Sequence, residues 1–386
     1  MNLVYIVQRW PSLFETYMCR EVHWMKNRGH NVAVVSLGSE GPLGFSGVSG
    51  YIDLSEFSVD EVPVLRLEAT QLSNDEIARE SLSFARRHNA ELIDAHFARE
   101  PAEVACEVHA ASGIPFTVRM RGGDVHSRTS PRLAEIVERA SAICPVSQFL
   151  AEVLVGKRSM KTSPDGIPVR LGAGKLKVLP YNLPAKYLAD EPAPQSDDVQ
   201  IIGSAGRVVP IKRFEDIIDA VAGLIDDFPG LKLMIIGGGA ITADLEERAK
   251  SAGIGDRFEI TGFKRWDDVL KLVAQLHVYV QSSELEGFCL TTVEAAFHGI
   301  PLVLSKTGVH EECVEPGVNG YLFDPGDVTA LGESMRSLLR AGARRREEMG
   351  AASMEIVGKR FSEENVMPGI ESVFQAAATG RALPLF

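Results

Sequence analysis

The chain has 386 residues, a formal net charge of −12 at pH 7, 45% hydrophobic residues and 24% charged ones. That length exceeds one ordinary core and suits two domains of roughly 150 to 200 residues, and no run approaches the ~18 apolar residues of a membrane span. Residues 1–190 hold 21 Lys and Arg against 22 Asp and Glu, leaving 19 against 30 in the remainder, so the acidity lies in the second half; no general positive field exists to draw nucleic acid, and any anionic ligand must be held by local groups.

The N-terminus, MNLVYIVQRW, enters a β-branched strand pattern directly, without the basic region, apolar stretch and small-residue cleavage site of a signal peptide, and reads as cytoplasmic. Five widely spaced cysteines (Cys19, Cys106, Cys144, Cys289, Cys313) with no C-x-x-C suggest neither a disulfide framework nor a zinc site, and read as buried free thiols.

The opening reads β-α-β: a strand over Leu3 to Val7, a helix over Glu15 to Arg28 stopped by Gly29, and a strand over Asn31 to Leu37. Gly38, Gly41, Gly44, Gly47 and Gly50 then recur every third residue with Pro42 as their one proline, which reads as a surface loop. Strands follow near Leu92 to His96, Pro115 to Arg119, Ala142 to Val146 and Leu176 to Leu179, separated by helical stretches such as Asp75 to His88. Between Lys157 and Lys177, six basic residues face one acid, Asp165. Such a loop reads either as a solvated basic face or as a contact for an anionic acceptor or for headgroups at the inner membrane face.

From Pro184 the text becomes proline-rich and loses apolar periodicity, placing a first domain over 1–185 and a linker over 186–199. A second β/α series fills 200–361, with strands near Leu231 to Ile236, Phe258 to Ile260, His277 to Gln281, Leu302 to Leu304 and Tyr321 to Phe323. A last helical segment, 362–386, is free to cross back onto the first domain. Alternation of this kind predicts an α/β protein with two doubly wound, Rossmann-like domains facing a central cleft, ligands lying beyond the carboxyl ends of the strands.

The stretch SSELEGFCLTTVEAAFHGIPLV sets Glu286 and Glu294 eight residues apart around a Gly-Phe turn that enters a helix. Amides at Phe288, Cys289 and Leu290, with the helix dipole behind them, suit a diphosphate. Glu286 can accept from sugar hydroxyls and Glu294 from ribose hydroxyls. Upstream, Arg207 and Lys212 sit in the loop after the first strand of the second domain, placed to face the same phosphates.

AGRVVPIKRFEDIIDA, LMIIGGG, FEITGF, ELEGFCLTTVEAAFHGIPLV and NGYLFDPGD, in that order, resemble the family-4 glycosyltransferases, retaining enzymes of the GT-B fold. The first domain resembles exopolysaccharide and lipopolysaccharide enzymes of that family less tightly, through PSLFETYMCREVHWMKNRGHNVAVVSL, DAHFA and IPFTVRMRGGDVHSR. The resemblance implies a hexosyltransferase-type enzyme of polysaccharide biosynthesis. Its donor would be a nucleotide diphosphate sugar, its acceptor a glycan, a lipid-linked sugar or a small molecule. Arg207 and Lys212 would hold the diphosphate, Glu286 the transferred sugar, Glu294 the ribose, and the amides of Gly287 to Leu290 the phosphate and sugar oxygens. It implies front-face transfer without a protein nucleophile, and, with no D-x-D, neither metal nor other cofactor.

Three departures stand out. The family's His-Gly-x-Asp appears as Arg121, Gly122, Gly123 and Asp124. Asp124 then joins Glu286, Arg207 and Lys212 as a catalytic candidate, and Arg121 becomes a candidate for a carboxylate on donor or acceptor. Arg213 stands where glycine is commoner after Lys212. The first loop lacks the family's paired glycines and is expected to read acceptor through Glu15 or Thr16. Of the histidines, His96, His126, His298 and His310 read as structural, with His96 the best placed for a sugar or acceptor contact.

A nicotinamide dehydrogenase is disfavoured: no G-x-G-x-x-G follows Leu3 to Val7, and Gly237 to Gly239 lacks the third glycine. A GT-B sugar-nucleotide epimerase or hydrolase, and a non-catalytic scaffold binding the same ligand, remain the alternatives.

Overall fold

Runs such as LVYIV and VAVVS are β-branched on both faces, the pattern of strands buried between two helical layers. The computed structural model describes residues 1–11, 16–38, 61–126, 130–158, 171, 173–183, 195–198 and 200–384. Glu15, the glycine series beyond Gly38, most of the basic loop and most of the linker lie outside the described residues, as do the side chains of Thr16 and His126. The described chain forms two compact units, one reaching to Asn182 and taking in the segment from Glu364 onward, the other running from Leu183 to Glu363.

The first unit contains β1 (Asn2–Val7), α1 (Thr16–Asn27), β2 (Asn31–Ser36), β3 (Val64–Arg66), α2 (Asn74–Arg87), β4 (Leu92–His96), α3 (Glu100–Ser112), β5 (Phe116–Met120), α4 (Gly122–His126), α5 (Leu133–Arg139), β6 (Ala142–Pro145) and α6 (Gln148–Leu154). Its six strands lie in the order β3-β2-β1-β4-β5-β6 and every pairing is parallel. The order reverses between β1 and β4, which makes the loops after those strands its ligand-facing edge.

The second unit contains β7 (Gln200–Ala205), α7 (Phe214–Ala222), β8 (Leu231–Ile236), α8 (Thr242–Ser251), β9 (Phe258–Ile260), α9 (Trp266–Val273), β10 (Val278–Gln281), α10 (Leu290–Phe297), β11 (Leu302–Ser305), α11 (His310–Cys313), β12 (Gly320–Phe323), α12 (Val328–Arg340) and α13 (Ala343–Phe361). The strand order β12-β11-β10-β7-β8-β9 repeats the first unit's topology, with the reversal between β7 and β10. The helices bury one face each: Phe214, Ile217, Ile218 and Val221 of α7 join Ile202, Leu233, Val280 and Val303 from the strands in one core. The last helix, α14 (Glu363–Thr379), turns Val366, Met367, Ile370, Val373 and Phe374 inward, and Phe374 meets Tyr5 of β1 edge-on at 6.3 Å. His30 Nε2 lies 2.8 Å from Glu371 on the same helix.

One expectation about strands needs correction, and one strand went unnoticed in the sequence. Leu176 to Leu179 is no strand: Leu176 makes an isolated parallel bridge to Ile143, and Lys177 and Leu179 donate to the carbonyls of Ile143 and Pro145. Pro145 has no N–H to donate in return, so no ladder forms there. The short β3, with its half-buried VLR, carries too little pattern to stand out in the sequence. Among the described residues no helix is long and apolar enough to cross a membrane.

Candidate functional site

The loops after β7 and β10 start from adjacent parallel strands at the reversal of strand order, so they emerge side by side. Gly206 ends β7's run, and the carbonyl of Gly206 packs so tightly under Gly237 that a Cβ on Gly237 would lie 2.0 Å from it. Only glycine permits that contact, which fixes the β7 loop against the loop after β8. The β7 loop then tightens through a 3-10 turn at Pro210–Lys212, and Arg213 takes φ 50°, a left-handed conformation that explains why glycine suits the position. Here Arg213 offsets the cost with a two-point ion pair to Asp216 at 2.8 and 3.1 Å in the first turn of α7.

Ser282, just past β10, shares its one hydroxyl proton between the carbonyls of Lys212 and Arg213, at 2.9 and 2.7 Å, and the Glu284 amide donates to Ile211, so the β10 loop is laced onto the β7 loop. The result is an ion pair between Lys212 Nζ and Glu286 Oε1, both side chains nearly buried. Ser283 donates to the same carboxylate at 2.8 Å, and the Glu286 amide donates to Thr307 Oγ1 at 3.2 Å. Gly308, at φ 56°, lies against Glu286 so closely that a Cβ there would come within 2.7 to 2.9 Å of it. Burial alone would push the Glu286 carboxyl up, but Lys212, with His310 and Ser283, holds it below its ordinary range. Burial likewise works against the charge on Lys212, and Glu286 outweighs it, so the ammonium pKa is raised. The pair is therefore ionised at neutral pH.

Cys289 precedes α10 with φ 60°, turning the chain so that the first amides of α10 lead the helix; amides of a first turn have no intrahelical acceptor. Contrary to the buried-thiol expectation, Cys289 is half-buried at this helix start, whereas Cys19, Cys106, Cys144 and Cys313 are buried. Phe288 points inward against Phe361 at 5.3 Å, which leaves its backbone, rather than its ring, on the ligand side. Glu294 lies further along α10 and accepts from Trp266 Nε1 at 2.8 Å. Arg207 is exposed, and its charge acts against that of Lys212. His310 is fully enclosed; burial pushes it down to about 4, so it is neutral at pH 7.

In the first unit, the residues singled out after β4 and β5 form a buried network. The Arg121 guanidinium lies 4.5 Å from the Tyr17 ring centre and 4.1 Å from that of Phe97, with Tyr181 at 5.7 Å, and only 6% of the residue is open to solvent. Its Nη2 donates to His96 Nδ1 at 2.6 Å; Nδ1 then accepts, and the ring proton resides on Nε2, 2.9 Å from Asp94 Oδ2. Burial lowers the His96 pKa, in keeping with that neutral tautomer. Burial would raise Asp94, but Arg119, which also pairs with Glu21, outweighs it and holds the carboxyl below its ordinary value. Asp124 is fully buried, accepts from the Arg121 amide at 2.9 Å, and is pushed up to about 6 by that burial.

Of the residues expected from the sequence, Lys212, Glu286 and Cys289 come together in the second unit, with Gly287, Leu290 and Glu294 on the same turn and helix. Arg121, His96 and Asp124 come together in the first. Sequence reasoning passed over Ser283, Thr307, Gly308 and Trp266, and read His310 as merely structural. The run KTGVHE held the available signal, a glycine two residues before a histidine following a strand.

Residues 189–355 match the family model described as "Glycosyl transferases group 1". Together with the two six-stranded parallel sheets, the match defines the class: residues 189–355 form a group 1 glycosyl transferase domain, and the chain has the GT-B fold. It is 25% identical over 361 residues to the N-acetyl-alpha-D-glucosaminyl L-malate synthase of Bacillus anthracis, covering 91% of this chain and 90% of that protein. It is 27% identical over 282 residues to the 2-deoxystreptamine glucosyltransferase of Streptomyces kanamyceticus, covering 67% and 71%. Among solved structures, Anabaena Alr3699/HepE in complex with UDP matches with a TM-score of 0.74 at 19% identity, over 97% of this chain and 100% of that one, a likeness of fold.

Proposed function

We propose that the chain transfers a hexosyl group from a nucleoside diphosphate sugar to a hydroxyl of a glycan, lipid-linked or small-molecule acceptor, with retention of anomeric configuration and without a metal. The observation that carries the reading is the Lys212–Glu286 ion pair beside the start of α10, at the reversal of strand order. A structural relative in complex with UDP and a relative named as a glucosyltransferase support a nucleotide sugar as donor.

In this reading the β-phosphate lies between Lys212, Arg207 and the amides of Cys289 and Leu290. As the bond from the anomeric carbon to the phosphate oxygen breaks, the negative charge grows where fixed donors already point. Glu286, kept ionised by Lys212, accepts from hydroxyls of the sugar, and Glu294, braced by Trp266, accepts from the ribose. The acceptor oxygen bonds the anomeric carbon on the face the diphosphate leaves, and its proton passes to a phosphate oxygen, giving the glycoside and the nucleoside diphosphate.

Acceptor recognition is assigned to the first unit. Arg121, stacked among three rings, serves to hold His96 in its Nε2–H form, and Asp124 fixes the Arg121 backbone; both are positioning residues. A contact between Arg121 and a carboxylate on the substrate is not favoured by its 6% exposure. The experiment that tests the reading is a screen of nucleoside diphosphate sugars for release of nucleoside diphosphate in the presence of chelator.

A further inference from the structure

Three side chains of different ligating type converge beside the ion pair. The carboxylate of Glu286, the thiol of Cys289 and the imidazole of His310 offer ligand atoms that all lie within 4.8 Å of one another. His310 is held as metal-binding histidines are held: Nδ1 is 2.8 Å from the Ser305 carbonyl, which only accepts, so Nδ1 carries the proton and Nε2 offers a lone pair. Thr292 Oγ1 is 3.3 Å from that Nε2 and 3.3 Å from Cys289 Sγ. In the second cluster of this kind, Glu21, Asp94 and His96, one guanidinium, Arg119, pairs with both carboxylates and no thiol is present, whereas here Lys212 pairs with a single carboxylate oxygen and a thiol completes the set.

We propose that Glu286, Cys289 and His310 bind a thiophilic divalent cation of the zinc or cadmium class, and that its binding excludes the nucleotide sugar. One sulfur, one nitrogen and one carboxylate oxygen, with a fourth position open to water, is a donor set such ions accept. On binding, the Cys289 thiol gives its proton to solvent and the thiolate bonds the cation, while Glu286 turns an oxygen from Lys212 to the ion. The site would act as an inhibitory metal switch on an enzyme that needs no metal to turn over. The exclusion of donor rests on the proposed function; the cation site itself does not.

The test is a cadmium titration of the full chain, followed through the ultraviolet charge-transfer absorption of the thiolate–cadmium bond. The expected result is a saturable band that disappears in Cys289→Ser and needs about tenfold more cadmium in His310→Gln, the loss typical when a ligand or its support is removed. Both variants are first shown to be folded by circular dichroism. No band, or a band that persists in Cys289→Ser, overturns the site. Nucleoside diphosphate binding to the metal-free protein is measured separately by calorimetry. If that binding occurs and cadmium abolishes it, the switch stands; if cadmium leaves it unchanged, the switch is overturned. If no nucleotide binds metal-free protein, the donor reading fails while the cation site stands.

Discussion

Lys212 and Glu286 are 74 positions apart in the sequence and meet as a nearly buried ion pair, because the two loops that carry them leave neighbouring strands at the point where the strand order reverses. Each holds the other's charge against burial. Glu286→Gln and Lys212→Ala are each expected to lower turnover by roughly 10²- to 10³-fold, the usual loss when one fixed charge or donor is removed from a transition-state site. The double variant should lose much less than the product of the two, since the residues act as a unit. Steady-state rates of the three variants check this.

Gly308→Ala should impair both stability and activity. The added methyl would lie within 2.9 Å of the Glu286 backbone, and alanine is strained at φ 56°. A loss of about 1 to 3 kcal/mol in denaturant unfolding is expected, with a fall in turnover as Glu286 is displaced.

Trp266→Phe keeps an aromatic ring and removes the indole N–H that donates to Glu294. The expected outcome is a rise in donor KM of about tenfold, the equivalent of one hydrogen bond of about 1.4 kcal/mol, with kcat little changed. Steady-state kinetics in the donor reads it.

How far these relationships were legible beforehand depended on their range. The β/α alternation follows from local periodicity, and the donor-side residues follow from motifs in which turn and helix start are contiguous, as in ELEGFCL. The lacing of Ser282 onto Lys212 and Arg213, the Gly308 contact with Glu286 and the Trp266–Glu294 bond join residues 22 to 70 positions apart. No local pattern signals such pairs. The misread strand at Leu176 shows the converse: four residues of suitable pattern do not make a strand when the partner edge presents Pro145.

Asp124 makes the pH dependence of the first unit testable. Its carboxyl is raised from 3.8 to about 6 by burial, so the folded state binds more protons than the unfolded state between those values. Its contribution is therefore most favourable below the unfolded pKa and is lost as pH rises through about 6, at a cost of up to about 3 kcal/mol. Asp124→Asn, whose amide oxygen can still accept from the Arg121 amide, should be more stable than the parent at pH 8 and gain nothing at pH 4. Denaturant unfolding at the two pH values measures the difference.

The central claim is that Lys212 and Glu286 hold a nucleoside diphosphate sugar for metal-free, retaining transfer. The most direct measurement incubates the full chain with candidate nucleoside diphosphate sugars and acceptors in excess chelator, quantifies nucleoside diphosphate, and assigns the anomeric configuration of the product by NMR. The account predicts release that chelator does not reduce, a product with the donor's configuration, and collapse of the rate in Lys212→Ala. An inverted product, or turnover that survives loss of both Lys212 and Glu286, would contradict it.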